Sequence, residues 1–321
     1  MDTTWKGVDA GAPVPNSILA PEACPVCKAE ASCWHSIKGY PIYECPGCHH
    51  RFVPGLRNAR RVQEVFDDRY FSDGEAGYPG YINDGDILRD RGRRYARIVS
   101  RYMMRGRMLD VGSAAGFILR GFLDCSWSGQ GLEPNEAMAE FGRRSGLDIK
   151  SASLEDYRSE EQFDLIVMLQ VIMHFYDLGR ACETAAGLTK PGGFWLLEAF
   201  NPHSFVGRLM GKHWHDYNPP STLHWFSPGS LRLLLGRYGL EQVAIGRAPK
   251  SISAAHAKSV LRFQLRGASG VPEMALSLFR AIPDAWAIPY PGDDIYWALF
   301  RKRAPSPISS KTRKPGVSNR A

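Results

Sequence analysis

Leu109-Asp-Val-Gly-Ser-Ala-Ala-Gly116, running on into Phe117-Ile-Leu119, decides how the rest of this chain is read. Met108 to Val111 is an apolar run of strand length bounded by a glycine turn. Gly112 and Gly116 allow the backbone to pass close to a ligand where side chains would clash. The turn opens onto the start of a helix at Phe117, where free N–H groups and positive potential gather. Asp110 lies two residues before the first glycine. A second acid, Glu133, ends the next strand in Gln130-Gly-Leu-Glu133. A carboxylate at that point reads a ribose diol in folds of this type, because it accepts both hydroxyl protons.

Outward from this turn, strands alternate with helices. Asn135 is placed to cap a helix through Ala137, Met138 and Phe141. Leu147 to Lys150 fits a third strand, and Phe163 to Leu169 a fourth. A helix from Asp177 to Leu188 runs into the stop signal Lys190-Pro-Gly-Gly193, and Phe194 to Glu198 is a fifth strand. Ser227-Pro228 starts a later helix, and Gln242 to Ile245 and Tyr296 to Phe300 are the last strands. The alternation predicts an α/β, Rossmann-like, seven-stranded and mostly parallel sheet with helices on both faces.

The N-terminal part carries different chemistry. Of seven cysteines, four form Cys24-Pro-Val-Cys27 and Cys45-Pro-Gly-Cys48. Two such pairs at this separation match a four-thiolate zinc site, each pair forming a knuckle that aims two sulfurs at one point. The rival reading, two disulfides, sits badly with a chain that shows no secretory leader. Four thiolates close the coordination sphere, so the expected Zn²⁺ is structural and not catalytic. Cys33, His35, His49 and His50 lie nearby, and Cys125 and Cys182 are isolated.

The expected organisation is a flexible arm (1–20), a zinc ribbon (21–55), a helical connector (56–107), a cofactor-binding core (108–248), a C-terminal cap with the last strand (249–303) and a disordered basic tail (304–321). The composition, 44% hydrophobic and 23% charged over 321 residues, suits a globular protein. No apolar run approaches the roughly 20 residues of a membrane span. With no signal-peptide pattern at the start, the expected location is cytoplasmic. The net charge of +7 is partly local, since the tail holds Lys311, Arg313, Lys314 and Arg320 and no acid. A second basic run comprises Arg89, Arg91, Arg93, Arg94, Arg97, Arg101, Arg105 and Arg107. A solvated helix face is favoured for it over a nucleic-acid grip.

Taken together, the turn, the following acid and the Pro-Gly-Gly before strand five resemble the class I S-adenosylmethionine-dependent methyltransferases. The matching segments are Leu109-Asp-Val-Gly112, Gly116-Phe-Ile-Leu119, Gly131-Leu-Glu-Pro-Asn135, Phe163-Asp-Leu-Ile166, His174 and Leu188-Thr-Lys-Pro-Gly-Gly193. The resemblance is to the branch that includes ubiquinone-biosynthesis-type enzymes and often bears an N-terminal zinc ribbon. It implies that Gly112, Ser113 and Gly116 line the methionine part of S-adenosylmethionine, that Asp110 anchors the turn, and that Glu133 binds the ribose. Leu154 and Glu155 stand where such enzymes contact adenine, and Leu169 and Gln170 face the sulfonium and the acceptor. Two departures stand out. The middle glycine of the turn is Ala114, and the Glu-x-x-Glu-His of metal-assisted relatives reads Gln170-Val-Ile-Met173-His174. With both carboxylates gone, the expected chemistry is metal-independent.

Methyl transfer from a sulfonium is an in-line displacement in which the protein supplies position and exclusion of water. For a hydroxyl acceptor a base helps, and His174 and His224 are the candidates. His174 is weighed equally as a packing or capping residue, and Trp214 and Trp225 are read as a packed lid. The expected function is methylation, with O-methylation favoured, of a small-molecule, glycan or lipid-linked acceptor. An RNA methyltransferase and a non-catalytic S-adenosylmethionine-binding scaffold are the alternatives. Nucleic acid is not favoured as a partner, because the folded body is only mildly basic and the base-methylation motif is absent at strand four.

Overall fold

The computed structural model describes residues 20–55, 65–66, 71, 81–248, 251–254, 258, 283, 286–289 and 292–304. The expected arm, the tail beyond 304, the connector up to residue 80 (Phe66, Phe71 and residue 65 excepted) and most of the cap lie outside the described residues.

The N-terminal ribbon contains β1 (Glu22–Ala23), β2 (Glu30–Ile37), β3 (Tyr40–Glu44) and β4 (Arg51–Phe52). Helix α1 (Gly85–Val99) leads into the main sheet, whose strands are β5 (Arg107–Val111), β6 (Ser128–Leu132), β7 (Ile149–Lys150), β8 (Phe163–Leu169) and β9 (Thr189–Phe200). Between them come α2 (Phe117–Leu123), α3 (Glu136–Arg144) and α4 (Leu178–Leu188). Beyond β9 lie α5 (Phe205–Met210), β10 (His224–Trp225), α6 (Pro228–Gly236), β11 (Leu240–Arg247), β12 (Ser251–Ser253), β13 (Ala287–Pro289) and β14 (Ile295–Lys302).

The seven-stranded sheet has the order β11-β14-β9-β8-β5-β6-β7. The five strands from β9 to β7 are parallel, and β14 runs antiparallel to both β9 and β11. The expected Rossmann-like sheet is therefore present. Strand β5 sits between β6 and β8, where the chain reverses its direction of travel across the sheet, and such a switch point opens a crevice at the strands' carboxyl ends.

Alternation along the strands builds two cores. Leu109, Val111, Ile166, Met168, Trp195 and Leu197 join α4 and α6 residues on one face. Met108, Leu165, Val167, Phe194 and Leu196 join α1 and α2 on the other. Helix caps follow the sequence reading: the Asn135 side chain accepts from Met138 N–H, Asp177 from Arg180 N–H and Ser227 from Ser230 N–H. Strand β9 starts earlier than Phe194, because Thr189 already pairs with Phe163 and a register shift absorbs Lys190-Pro-Gly-Gly193.

The ribbon is woven into the main body. β10 pairs with β4, so the ribbon's sheet is a five-stranded β1-β2-β3-β4-β10. Cys24, Val26, Tyr43 and Phe52 share a core cluster with α4 and α6, while Ile42 and Val53 pack with Trp214, Tyr217, Leu223 and Trp225. The arginine run of α1 divides in two. Arg89 and Arg93 pair with Asp124 at the surface, and Arg94 and Arg97 are exposed, in keeping with a solvated face. Arg91 instead turns inward and is buried. Helices α1 and α2 approach closely: a Cβ on Gly92 would meet Ile118 O at 2.4 Å, and one on Gly121 would meet Arg89 O at 2.2 Å. Among the described residues no helix is long and apolar enough to cross a membrane.

Candidate cofactor cavity and four-cysteine centre

A cavity of about 200 Å³ opens at the carboxyl ends of β5, β6 and β8. Its wall includes Asp110, Gly112 and Ser113 of the turn, Glu133 after β6, Leu154 and Glu155, and Leu169 and Gln170 at the end of β8. The sequence thus places eight of the nine expected cofactor residues on one surface. The ninth, Gly116, caps α2 just behind it with φ +79°. Gly112 has φ +65°, and a Cβ there would meet Val171 at 2.7 Å. Ala114 also adopts a left-handed conformation, φ +46°, which glycine enters at no steric cost.

Glu133 holds the turn in shape. One carboxylate oxygen accepts from Ala114 N–H at 2.8 Å, and the other accepts from Asn135 N–H at 2.8 Å. Each oxygen keeps a second lone pair for a ligand hydroxyl. Burial raises its pKa to about 7, against the pull of those two N–H groups. Burial likewise pushes Asp110 to about 8. Asp110 Oδ2 and Ser113 Oγ are buried with no hydrogen-bond partner among the described residues. Buried polar groups are normally satisfied, so two orphans on one cavity wall mark where a polar ligand belongs. Glu155 accepts from Tyr176 N–H at 3.1 Å, and burial lifts its pKa to about 7.

The cavity has features the sequence reading missed. Arg91 lines it, donating to the Glu198 carboxylate of β9. Glu198 is fully buried and also accepts from Tyr95 O–H and, at 2.7 Å, from Gln170 Nε2. The signal was present in Leu88, Arg91, Tyr95 and Val99, which recur at helical spacing. Phe66, Phe71 and Tyr81 add an aromatic wall, foreshadowed only by the aromatic composition of the connector.

The two base candidates lie in different places. His174 lines the cavity, its Nδ1 donating to Ser221 O at 2.7 Å and its ring edge-on to Phe66. Burial lowers its pKa to about 4 despite the backbone carbonyls nearby. His224 is not among the cavity-lining residues. It sits on β10 with 7% exposure, its Nε2 donating to Phe175 O at 3.1 Å and its Nδ1 accepting from His50 Nε2 at 3.3 Å. Its position is structural, between the ribbon and the loop after β8. Trp214 and Trp225, read as a packed lid, are buried in the core beside the ribbon and do not line the cavity; their indole N–H groups donate to Asp294 Oδ2 and to Asp216 O.

Cys24, Cys27, Cys45 and Cys48 bring their sulfurs within 4.8 Å of one another. The two knuckles share one geometry. Lys28 N–H donates to Cys24 O and His49 N–H to Cys45 O, with Lys28 and His49 both at positive φ. The closest sulfur pairs, 3.3 and 3.6 Å, are far beyond a disulfide bond and near the roughly 3.8 Å edge of a tetrahedron with 2.3 Å metal–sulfur bonds. Four thiolates this close repel one another unless a cation sits among them, so the donor set fits a closed tetrahedral metal site.

The switch-point cavity and its acid-bearing glycine turn define a Rossmann-like cofactor-binding domain. Residues 87–245 match a family model described as a methyltransferase domain, and with the fold this supports a class I S-adenosylmethionine-dependent methyltransferase. A ubiquinone biosynthesis O-methyltransferase of Bradyrhizobium sp. (strain ORS 278) is 26% identical over 132 residues, covering 39% of this chain and 49% of that protein. A protein of the same name from Nitrobacter winogradskyi is 27% identical over 146 residues, covering 42% and 56%. The chain thus spans about half the length of the curated relatives it matches. Among solved structures, an S-adenosylmethionine-dependent methyltransferase from Archaeoglobus fulgidus superimposes with a TM-score of 0.47 at 16% identity, covering 69% of this chain and 99% of that one.

Proposed function

We propose that this protein transfers the methyl group of S-adenosylmethionine to a small-molecule or carrier-linked acceptor, with oxygen as the favoured atom. The observation that carries the reading is the cavity wall where Glu133, bonded to the turn's own backbone, stands beside the orphaned Asp110 Oδ2 and Ser113 Oγ. Glu133 would hold the ribose, Asp110 and Ser113 the methionine part, and Leu154 and Glu155 the adenine side. Arg91 supplies a cation for the cofactor's carboxylate. When bound, the cofactor supplies the reactive methyl. The chain's own residues orient the two reactants and keep water out, with Phe66, Phe71 and Tyr81 as the hydrophobic cover. Gln170, whose amide donates to Glu198, would face the sulfonium. Oxygen as the acceptor atom is supported by the names of the curated relatives.

For the four-cysteine centre we propose structural Zn²⁺. Calorimetric titration with S-adenosylmethionine and S-adenosylhomocysteine tests the first reading, followed by mass spectrometry for a 14-dalton gain in acceptor extracts. Absence of heat with both ligands would refute it. Metal analysis is expected to give one zinc per chain, and cysteine-to-serine changes at Cys24 or Cys45 are expected to abolish it.

A further inference from the structure

The segment Ser221–Trp225 is bonded along both of its edges. On the ribbon side, Val53 N–H donates to Leu223 O at 2.9 Å, and His224 and Trp225 pair with Phe52 and Arg51. On the cavity side, Leu223 N–H donates to Met173 O at 2.9 Å, His174 Nδ1 donates to Ser221 O, and His224 Nε2 donates to Phe175 O. His174 and Phe175 line the cofactor cavity. The next residue, Tyr176, donates its N–H to Glu155, another wall residue.

The link from this segment to the cysteine centre is made by side chains. His50 follows the second knuckle by two residues, is fully buried, and closes that knuckle by accepting from Cys45 N–H at 3.0 Å. Its ring lies nearly coplanar with that of His224, hydrogen-bonded edge to edge, and has the rings of Phe52 and Phe226 as neighbours. Phe175 O can only accept, so His224 carries its proton on Nε2 and receives the His50 N–H at Nδ1. One directed chain therefore runs from the second knuckle through His50 and His224 to the backbone of the cavity loop.

We propose that His50 and His224 are positioning residues for the cofactor site, a two-imidazole relay through which the folded four-cysteine knuckle fixes loop 173–176. The proposal rests on the methyltransferase reading above. It assigns the ribbon a task at the cofactor cavity although none of its residues line that cavity. Metal binding shapes the knuckle, the knuckle places the His50 ring, and the ring sets His224 against Phe175 O. Loss of one buried hydrogen bond is worth about 1.4 kcal/mol, or tenfold in affinity.

The test uses the full-length, zinc-loaded chain. His224→Leu is expected to retain the zinc content of the wild type and to bind S-adenosylhomocysteine about tenfold more weakly. Faster amide exchange at residues 172–176 is expected alongside. His224→Gln keeps a donor for Phe175 O and is expected to restore most of the affinity. If leucine is not tolerated, His50→Asn, whose amide stops short of His224, serves the same comparison. Chelating zinc from the wild type is expected to reproduce the weakening, and chelation of His224→Leu to add little, because the two changes act on one chain. Wild-type affinity and exchange in both His224→Leu and His50→Asn, or fully additive losses, would overturn the relay. A wild-type protein that binds no S-adenosylhomocysteine would instead refute the methyltransferase reading.

Discussion

Arg91 of α1 and Glu198 of β9 form a buried ion pair at the edge of the cofactor cavity, with Tyr95 and Gln170 completing the carboxylate's shell. Removing one partner of such a pair leaves the other charge buried. Arg91→Met is therefore expected to lower unfolding stability by about 3 kcal/mol. It is also expected to weaken cofactor binding. The double variant Arg91→Met/Glu198→Gln is expected to regain most of the stability but not the affinity. Urea denaturation and calorimetry on the same preparations separate the two effects.

Ala114 occupies a left-handed backbone conformation that costs an L-residue about 1–2 kcal/mol. Glycine escapes that cost but gives back about 0.5–1 kcal/mol in chain entropy. Ala114→Gly is expected to raise stability by about 0.5 kcal/mol. Cofactor affinity should be unchanged or improved. Thermal unfolding with and without S-adenosylhomocysteine reads both.

Burial holds the carboxyls of Asp110 near 8 and of Glu133 and Glu155 near 7. A cationic ligand favours their ionised forms. Binding of S-adenosylmethionine is therefore expected to release protons and to tighten as pH rises from about 6.5 to 8.5. The unliganded fold responds the other way. Its native carboxyls keep protons that the unfolded chain has already lost. Their contribution to stability is complete below the unfolded values near 4 and is lost as pH climbs through 7 and 8. Calorimetry in buffers of different ionisation enthalpy gives the proton count, and uptake instead of release would contradict the assignment.

His174, lowered to about 4 by burial, stays neutral throughout the physiological range. With cofactor saturating, kcat is expected to show no inflection near pH 6.5. His174→Gln, which keeps a donor for Ser221 O, is expected to retain far more activity than His174→Ala. An inflection near 6.5 that the glutamine variant abolishes would show that the ring titrates as an exposed imidazole.

Local chemistry was legible in the sequence wherever chain neighbours make the site. The glycine turn, Glu133 at a strand end and the two cysteine pairs are each encoded within about two dozen residues of their partners, and all stand where their spacing implies. Arg91 was hidden by its neighbours, because a run of arginines reads as a solvated face and only the helical phase with Tyr95 and Val99 reveals the one that turns inward. His224 followed a different logic. It was a candidate base for a hydroxyl acceptor, but a two-residue strand pairs it with residues about 170 positions earlier, and no local period reports such a contact. Early pairing of β9 was obscured by Pro191 and Gly192, which signal a turn that a register shift accommodates.

Because β10 belongs to the ribbon's sheet while its flanking residues belong to the transferase, no cut in the chain separates two finished proteins. A truncation at residue 55 would uncover an unpaired strand edge at His224 and Trp225 and the apolar surface that Ile42 and Val53 now cover. Such a fragment would self-associate before it could be assayed, and transplanting the ribbon onto another transferase would require carrying residues 221–225 with it.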